Sequence, residues 1–430
     1  MKKNKPIKEN SFAIYGLGLS GKSVHKFLKK KKVKKIFTWD DKKIFKFKKN
    51  LNFFKKALDE VDYIVISPGI NIKKTRFKSI LIKNKIKIIT DLDLFYMQEL
   101  PVKSIMITGT NGKSTTCKLI KHVLRTGKID AELGGNIGKP ILDLKIKKNS
   151  IVIIEASSFQ LSHLKFVKPT FAVILNITKD HLDWHGTVKD YQNSKFNIFS
   201  KQDQKDQAFL GRLDLIKKFR RKLFLSRLIK VQAGNLQKNL KKNITNKYLL
   251  NKPNLENVSF VYKLSTILKI KKKIILKALN NFKGLPHRNE EFYCKCGITF
   301  INDSKATSFD ATQHALKNYK NIFWILGGLP KLGDKLNLQN VKKNIIKTYI
   351  IGEHVNYFKK QVRKIISHKT SHTIENALHD IMKDLILLRQ KQATILLSPA
   401  SASYDQFDNF IERGNHFKKL TTKYARKFLQ

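Results

Sequence analysis

The sequence predicts an α/β protein of three domains, each organised around a largely parallel sheet. Three observations support this expectation. Short apolar runs alternate with amphipathic stretches of helical spacing. Gly-rich or polar segments follow several apolar runs, as loops follow strands in open parallel sheets. The 430 residues amount to roughly three domains at about 150 residues each.

The first domain, residues 1–93, opens with a strand over Phe12–Tyr15. Gly16-Leu17-Gly18-Leu19-Ser20-Gly21 follows, then a helix-like run through Lys30. Strands over Lys35–Trp39, ending at Asp40-Asp41, and over Tyr63–Ser67, ending at Pro68-Gly69, repeat the pattern. In the second domain, 94–286, Pro101 opens a strand over Ser104–Thr108 that runs into a Gly-containing loop and a helix beginning at Ser114. Strands over Ser150–Glu155 and Thr170–Asn176 come next, and a further helix starts near Asn254. Residues 201–250 are rich in Lys and Leu and point to no clear element. Gly284–Arg288 marks the boundary to the third domain, 287–430, with strands over Ile298–Asn302, Ile322–Leu326, Thr348–Ile351 and Thr394–Leu397. There is no internal repeat and no low-complexity linker.

Composition excludes several classes. At 41% hydrophobic with 28 Phe, the chain has material for buried cores and is not a disordered polymer. No run approaches the ~18 apolar residues of a membrane span. The basic start leads into a Gly-rich loop instead of the apolar core of a signal peptide. Three cysteines cannot frame a chain of this length with disulfides. A soluble, cytoplasmic protein with no membrane partner is expected. The net charge of +55 suggests nucleic acid, but only 11 of the 87 basic residues are Arg, and the Lys are spread from end to end. A base-reading surface favours the planar fork of Arg. No specific nucleic-acid partner is expected; the field should draw in anionic ligands and weaken at high salt.

The strongest chemical signal is Gly109-Thr110-Asn111-Gly112-Lys113-Ser114-Thr115 between strand and helix. Backbone N–H groups at a helix N-terminus form an anion site, Lys113 adds a point charge, and Ser114 can reach a magnesium ion. Ile107 stands where the first Gly of a full phosphate loop would fall. Gly16-x-Gly18-x-x-Gly21, with Asp40 ending the next strand, fits NAD, another nucleotide, or tight strand–helix packing alone. Glu155 ends a strand and Asp180-His181 closely follows another, so a carboxylate, an imidazole and phosphate oxygens could share hard cations. Asn302–Thr307, Gly327–Lys331 and Ser398–Ser403 place polar loops at three strand ends of the last domain. Cys294 and Cys296 lack zinc-pair spacing and read as a strand feature, Cys117 as packing on the phosphate-loop helix, and Phe45–Phe47 and Phe53-Phe54 as core.

Taken together, these motifs resemble the Mur ligase family. The resemblance rests on GTNGKST at Gly109–Thr115, EASSFQ at Glu155–Gln160, NITKDH at Asn176–His181, YQNSK at Tyr191–Lys195, GLPHR at Gly284–Arg288, NDSKAT at Asn302–Thr307 and the tail from Ser398 to Gly414. It covers nearly the whole chain in order. It implies a Rossmann-like N-terminal domain for the UDP end of a substrate, a central P-loop ATPase-like domain, and a Rossmann-like C-terminal domain for an amino acid. SSFQL and the tail are most similar to members that add D-glutamate to UDP-N-acetylmuramoyl-L-alanine, an ATP-dependent step of peptidoglycan precursor synthesis in the cytoplasm. The substrate carboxylate attacks the γ-phosphorus to give an acyl phosphate and ADP, and the amino acid's amine then displaces phosphate. A monomer is expected.

The resemblance also implies roles, residue by residue. Ser114 and Glu155 match ligands of one magnesium ion, and His181 and Lys195 those of a second, where the family's Lys is carbamylated. Lys113, Glu155, His181 and Lys195 form the catalytic set. Besides residues 109–115, Asn254, Asn257, Arg288, Asp303 and Lys305 match nucleotide contacts. Leu19, Ser20, Asp40, Gly69, Asn136 and His181 match the UDP-substrate side, and Thr307, Lys331, Ser403, Tyr404 and Phe410 the D-Glu pocket. Asp40-Asp41-Lys42 replaces Asp-Thr-Arg, Pro253 a common His, and Tyr404 a usual Leu. Two other readings stand beside this one: a family ligase for a different amino acid, and a charge-driven nucleotide- or nucleic-acid-binding protein.

Overall fold

The structure is a computed structural model and describes residues 5–42, 48–232, 238–331, 334 and 336–429. It divides into two compact units, one ending at Phe282 and one beginning at Lys283. Among the described residues no helix is long and apolar enough to cross a membrane.

The first unit holds two parallel sheets. Strands β1 (Phe12–Tyr15), β2 (Ile36–Trp39), β3 (Tyr63–Ile66) and β4 (Ile88–Ile89) form the order β2-β1-β3-β4. Strands β5 (Lys103–Thr108), β6 (Ala131–Gly135), β7 (Ile151–Glu155), β8 (Phe171–Ile174), β9 (Gln207–Leu210) and β10 (Arg227–Lys230) form the order β10-β9-β8-β5-β7-β6. Their central members are β-branched and covered by helices on both faces, as parallel sheets require. Val152, Ile153 and Ile154 of β7 are completely buried, each contributing about 1.5–3 kcal/mol of burial free energy. In both sheets the strand order reverses beside the first strand, which places a crevice at the C-terminal ends of β1 and β5.

Two buried aspartates join these sheets. Thr90 and Asp93 form a capping box at the start of the helix Asp91–Tyr96. The other Asp93 oxygen accepts from the backbone N–H groups of Lys165 and Phe166, each at 2.8 Å. Asp91 Oδ1 accepts from Gln160 Nε2 at 3.2 Å. Burial pushes both carboxyls above the usual carboxylate range.

The second unit carries β11 (Glu290–Lys295), β12 (Ile298–Asn302), β13 (Ile322–Gly327), β14 (Ile345–Ile351), β15 (His368–His372) and β16 (Ala393–Leu397). Their order is β11-β12-β16-β13-β14-β15, and only β11 runs antiparallel. The ends of β12, β13 and β16 are adjacent, so the three polar loops singled out in the sequence meet at one edge.

The α/β class and the strands at the sheet centres agree with the sequence reading, with ends shifted by a few residues. Residues 201–250 hold β9, the helix Leu213–Arg221 and β10, an edge strand whose RLIK residues are half-exposed or exposed and carry no apolar alternation. β6, with sequence AELGG, was also missed, because two Gly and an Ala carry little strand signal. β14 begins at Ile345, three residues before its expected start. Cys117 is buried as expected, but Cys296 lies beyond β11 in the turn to β12. Phe54 is core, whereas Phe53 is 62% exposed and packs edge-on against Phe37. Phe45–Phe47 lies outside the described residues.

Candidate active site

The loop after β5 takes its shape from three neighbours. Thr110 N donates to Asn176 O at 2.9 Å, and Asn176 Oδ1 accepts from Asn111 N at 2.9 Å. Thr110 Oγ1 lies 3.0 Å from the Tyr191 hydroxyl. Gly112 caps the helix Lys113–Thr126 at φ +86°, and a Cβ there would lie 2.2 Å from Asn257 Oδ1. Only Gly combines that left-handed backbone with that close approach. Asn257 itself donates to Asn254 Oδ1 at 3.2 Å, so both expected nucleotide residues of the helix Lys252–Ile267 sit on the loop's flank. Lys113 Nζ donates to the carbonyls of Gly109 and Thr110, both at 2.8 Å, and Ser114 and Thr115 open the helix behind it. A helix N-terminus beside a cation is an anion site.

Lys195 is almost wholly buried on the helix Val188–Phe196. Its Nζ donates to Gly109 O at 2.9 Å, approaches Thr108 Oγ1 at 3.4 Å, and lies 4.7 Å above the Tyr191 ring. Burial, with the Lys113 charge adding to it, pushes this ammonium well below the ordinary lysine range. Glu155 ends β7, the strand next to β5. Its Oε1 accepts from Asn136 Nδ2 at 2.9 Å, while the buried Oε2 has no hydrogen-bond partner in the protein. Ser157 and Gln160 form a capping box just beyond it and fix the turn. His181 sits at φ +51°, an uncommon backbone for a non-Gly residue and one concentrated at functional sites. Its ring is 4.9 Å from Phe159 and its Nε2 is 3.4 Å from Asp180 Oδ2. Among the described residues no group of three His, Cys, Asp or Glu side chains could hold a metal. The expected metal set draws on Ser114 and Lys195 as well. The orphaned, buried Glu155 oxygen fits a cation-binding site of that composition.

At the first sheet, Gly21 allows a packing contact no other residue could, since a Cβ would meet Gly16 O at 1.8 Å. Gly18 and Gly69 face open space, which leaves the backbone free for close approach by a ligand. Asp40 holds the loop, accepting from Leu17 N at 2.5 Å and Lys42 N at 2.9 Å. Leu19 is 82% exposed on the loop and Ser20 partly so. Asp41 accepts from Tyr15 OH and from Trp39 Nε1, and pairs with Arg76 at 3.1 Å. Asn136, expected on the UDP side, donates to the Glu155 carboxylate.

In the second unit, Asp303 is buried and accepts from Ser398 Oγ at 2.8 Å and Asn289 N at 3.1 Å. Burial pushes its carboxyl up to about 7, against the neighbouring Arg288 charge. Lys305 Nζ lies 3.8 Å over the Phe410 ring, which brings one residue of the nucleotide set and one of the amino-acid set into contact. Ser403 is buried; Thr307, Lys331 and Tyr404 are exposed beside it in the polar loops. Leu329 and Ala402 pair backbone to backbone, which ties the loops after β13 and β16 together.

Arg413 belongs to none of the expected sets, although it begins the RGN of the tail. It is 1% exposed, and its guanidinium donates to Ser304 Oγ (3.0 Å), Ser304 O (2.9 Å), Ser401 O (2.9 Å) and Ala402 O (3.3 Å). One rigid fork thus fixes two of the three strand-end loops. Asn176, Tyr191 and His185 were likewise missed as individual residues, although Asn176 and Tyr191 open two of the quoted motifs.

A parallel α/β core with a phosphate loop, a strand-end carboxylate and a buried lysine beside them defines a nucleotide-triphosphate-using enzyme. Comparison with known proteins defines it further. Residues 107–275 match the Mur ligase middle domain. The UDP-N-acetylmuramoylalanine--D-glutamate ligase of Rickettsia prowazekii is 34% identical, over 97% of this chain and 99% of that protein. The protein of the same name from Buchnera aphidicola subsp. Schizaphis graminum is 36% identical, over 95% of this chain and 97% of that one. The crystal structure of MurF ligase from Thermotoga maritima in complex with ADP has the same fold, with a TM-score of 0.56 at 17% identity over 88% of this chain and 92% of that one. The chain belongs to the Mur ligase family.

Proposed function

We propose that this chain is the ATP-dependent ligase that joins D-glutamate to UDP-N-acetylmuramoyl-L-alanine, a cytoplasmic step in peptidoglycan precursor synthesis. The observation that bears most on this reading is the meeting of Lys113, the buried Lys195 and the orphaned Glu155 oxygen around the loop after β5. Full-length relatives bearing that activity's name support the substrate assignment. Three domains, 1–93, 94–286 and 287–430, divide the work, and the chain acts as a monomer.

ATP lies with its β- and γ-phosphates against residues 109–115, and Asn254, Asn257, Arg288, Asp303 and Lys305 contact the rest of the nucleotide. Leu19, Ser20, Asp40, Gly69 and Asn136 receive the UDP end of the second substrate, whose alanyl carboxylate reaches the loop beside His181. That carboxylate attacks the γ-phosphorus in line, one of its oxygens becoming the bridge of an acyl phosphate as ADP leaves. Lys113 holds the transferring group and offsets its charge. The amine of D-glutamate, placed by Thr307, Lys331, Ser403, Tyr404 and Phe410, attacks the acyl carbon. Phosphate departs with the bridging oxygen and an amide remains. Ser114 and Glu155 would hold one magnesium ion, and His181 and a carbamylated Lys195 a second, which when bound neutralise phosphate charge. Carbamylation needs an uncharged amine, and burial shifts Lys195 towards that form.

Isotope transfer tests the chemistry. With 18O in the alanyl carboxylate, one labelled oxygen is expected in every phosphate released. Unlabelled phosphate would exclude the acyl phosphate.

A further inference from the structure

Residues 71–76, just past the exposed Gly69, bond in two directions within the first unit. Towards β1, Thr75 Oγ1 meets the Tyr15 hydroxyl, and Arg76 pairs with Asp41 at 3.1 Å. Towards the turn that carries His181, Asn71 Nδ2 donates to Trp184 O at 2.9 Å and Lys74 Nζ donates to Asp183 O at 2.7 Å. The Asn71 amide has one orientation available, because its Oδ1 accepts from Lys73 N at 2.9 Å. Ile72 and Phe77 are buried in the core of the first sheet and anchor the segment from below. The segment is a strap between the strand ends of the first sheet and the turn 181–187.

The receiving turn is itself tied to the central site. His185 Nε2 lies 3.0 Å from Ser158 Oγ, and its ring stacks on Phe159 at 5.7 Å. Ser158 is three residues beyond Glu155. His181 precedes the two carbonyls that the strap holds, and its ring also packs on Phe159.

We propose that Asn71 and Lys74 are positioning residues for the reaction: they hold the His181 turn at a fixed offset from the strand ends that receive the UDP end of the substrate. This rests on the assignment of the first sheet to the UDP end. A substrate anchored at its nucleotide and reacting at its far carboxylate needs that offset set by the protein, and a misplacement of about 1 Å can cost roughly 100-fold in rate. Their bonds go to the backbone of the turn, and through it they act.

The test uses the full chain with Asn71→Ala and Lys74→Ala combined. Phosphate release at saturating substrates is expected to fall about 10-fold or more, with KM for ATP and the equilibrium affinity for UDP alone each within about twofold of wild type. Lys74→Arg, which keeps a cationic donor, is expected to retain wild-type turnover. Hydrogen exchange at the amides of 182–186 should quicken in the double variant while amides of the Gly16–Gly21 loop stay protected. Unchanged turnover, or a parallel loss of UDP affinity and of protection in both loops, overturns the proposal. Should the wild-type chain release no phosphate with UDP-N-acetylmuramoyl-L-alanine, the functional assignment fails. The exchange measurement still decides the strap, because unaltered protection at 182–186 refutes it.

Discussion

A lysine in water is a cation and no metal ligand, yet Lys195 is buried against carbonyls, a phenol ring and the charge of Lys113. Those surroundings favour its neutral amine, the form that adds carbon dioxide in the proposed carbamylation. Lys195→Ala is therefore expected to lose at least about 100-fold in phosphate release, as loss of a preorganised electrostatic group does, and to be rescued in part by short carboxylates such as acetate. Wild-type turnover of that variant without addition would remove the role. Arg413 shows the opposite treatment of a cation. It stays charged when buried because four protein acceptors meet its fork, and its value falls only to about 10 through burial. Neither state was legible in the residue letters. Lys195 was found through the YQNSK motif and Arg413 was overlooked as a residue, since burial depends on what the fold brings around it.

The elements that position the site are short, and side chains from elsewhere in the chain set their ends. The turn 181–187 is held by Asn71, Lys74 and an aromatic cluster in which Phe159, Trp184, His185 and Tyr191 pack at 4.6–5.7 Å. His163 packs against Trp184, and burial pushes both His163 and His185 down to about 4. An unfolded histidine titrates near 6.5, so between about 6.5 and 4 the unfolded chain binds more protons than the folded one. Stability contributed by these neutral rings is present above that window and lost as pH falls through it. The urea midpoint of wild type should therefore drop further between pH 7 and pH 5 than that of His163→Gln. Equal drops would show that His163 is not held neutral by the fold. The sequence revealed strands such as β5, β7 and β8 because each carries an apolar run buried on both faces. It concealed β6, β10 and β15, whose Gly-rich or polar residues lie at or near sheet edges.

Across the whole molecule, the phosphate loop was readable from spacing alone, whereas Glu155 and the strand ends of the second unit, polar positions where ligands of parallel sheets gather, took on a role only from the motifs around them. What spacing could not give was the contact network: Asn176 on the loop, Asn257 against Gly112, Arg413 under the loop that precedes Thr307. These depend on residues 65 or more positions apart meeting in space. The net charge of +55 adds a field that favours anionic substrates without choosing among them. The central claim is one of substrate and chemistry together, and phosphate release from ATP tests it most directly. The assay contains UDP-N-acetylmuramoyl-L-alanine, with D-glutamate, L-glutamate, D-alanine, L-lysine and meso-diaminopimelate supplied in turn. Release that depends on D-glutamate alone is the predicted result. Release driven by a different amino acid, or none with any of the five, would contradict it.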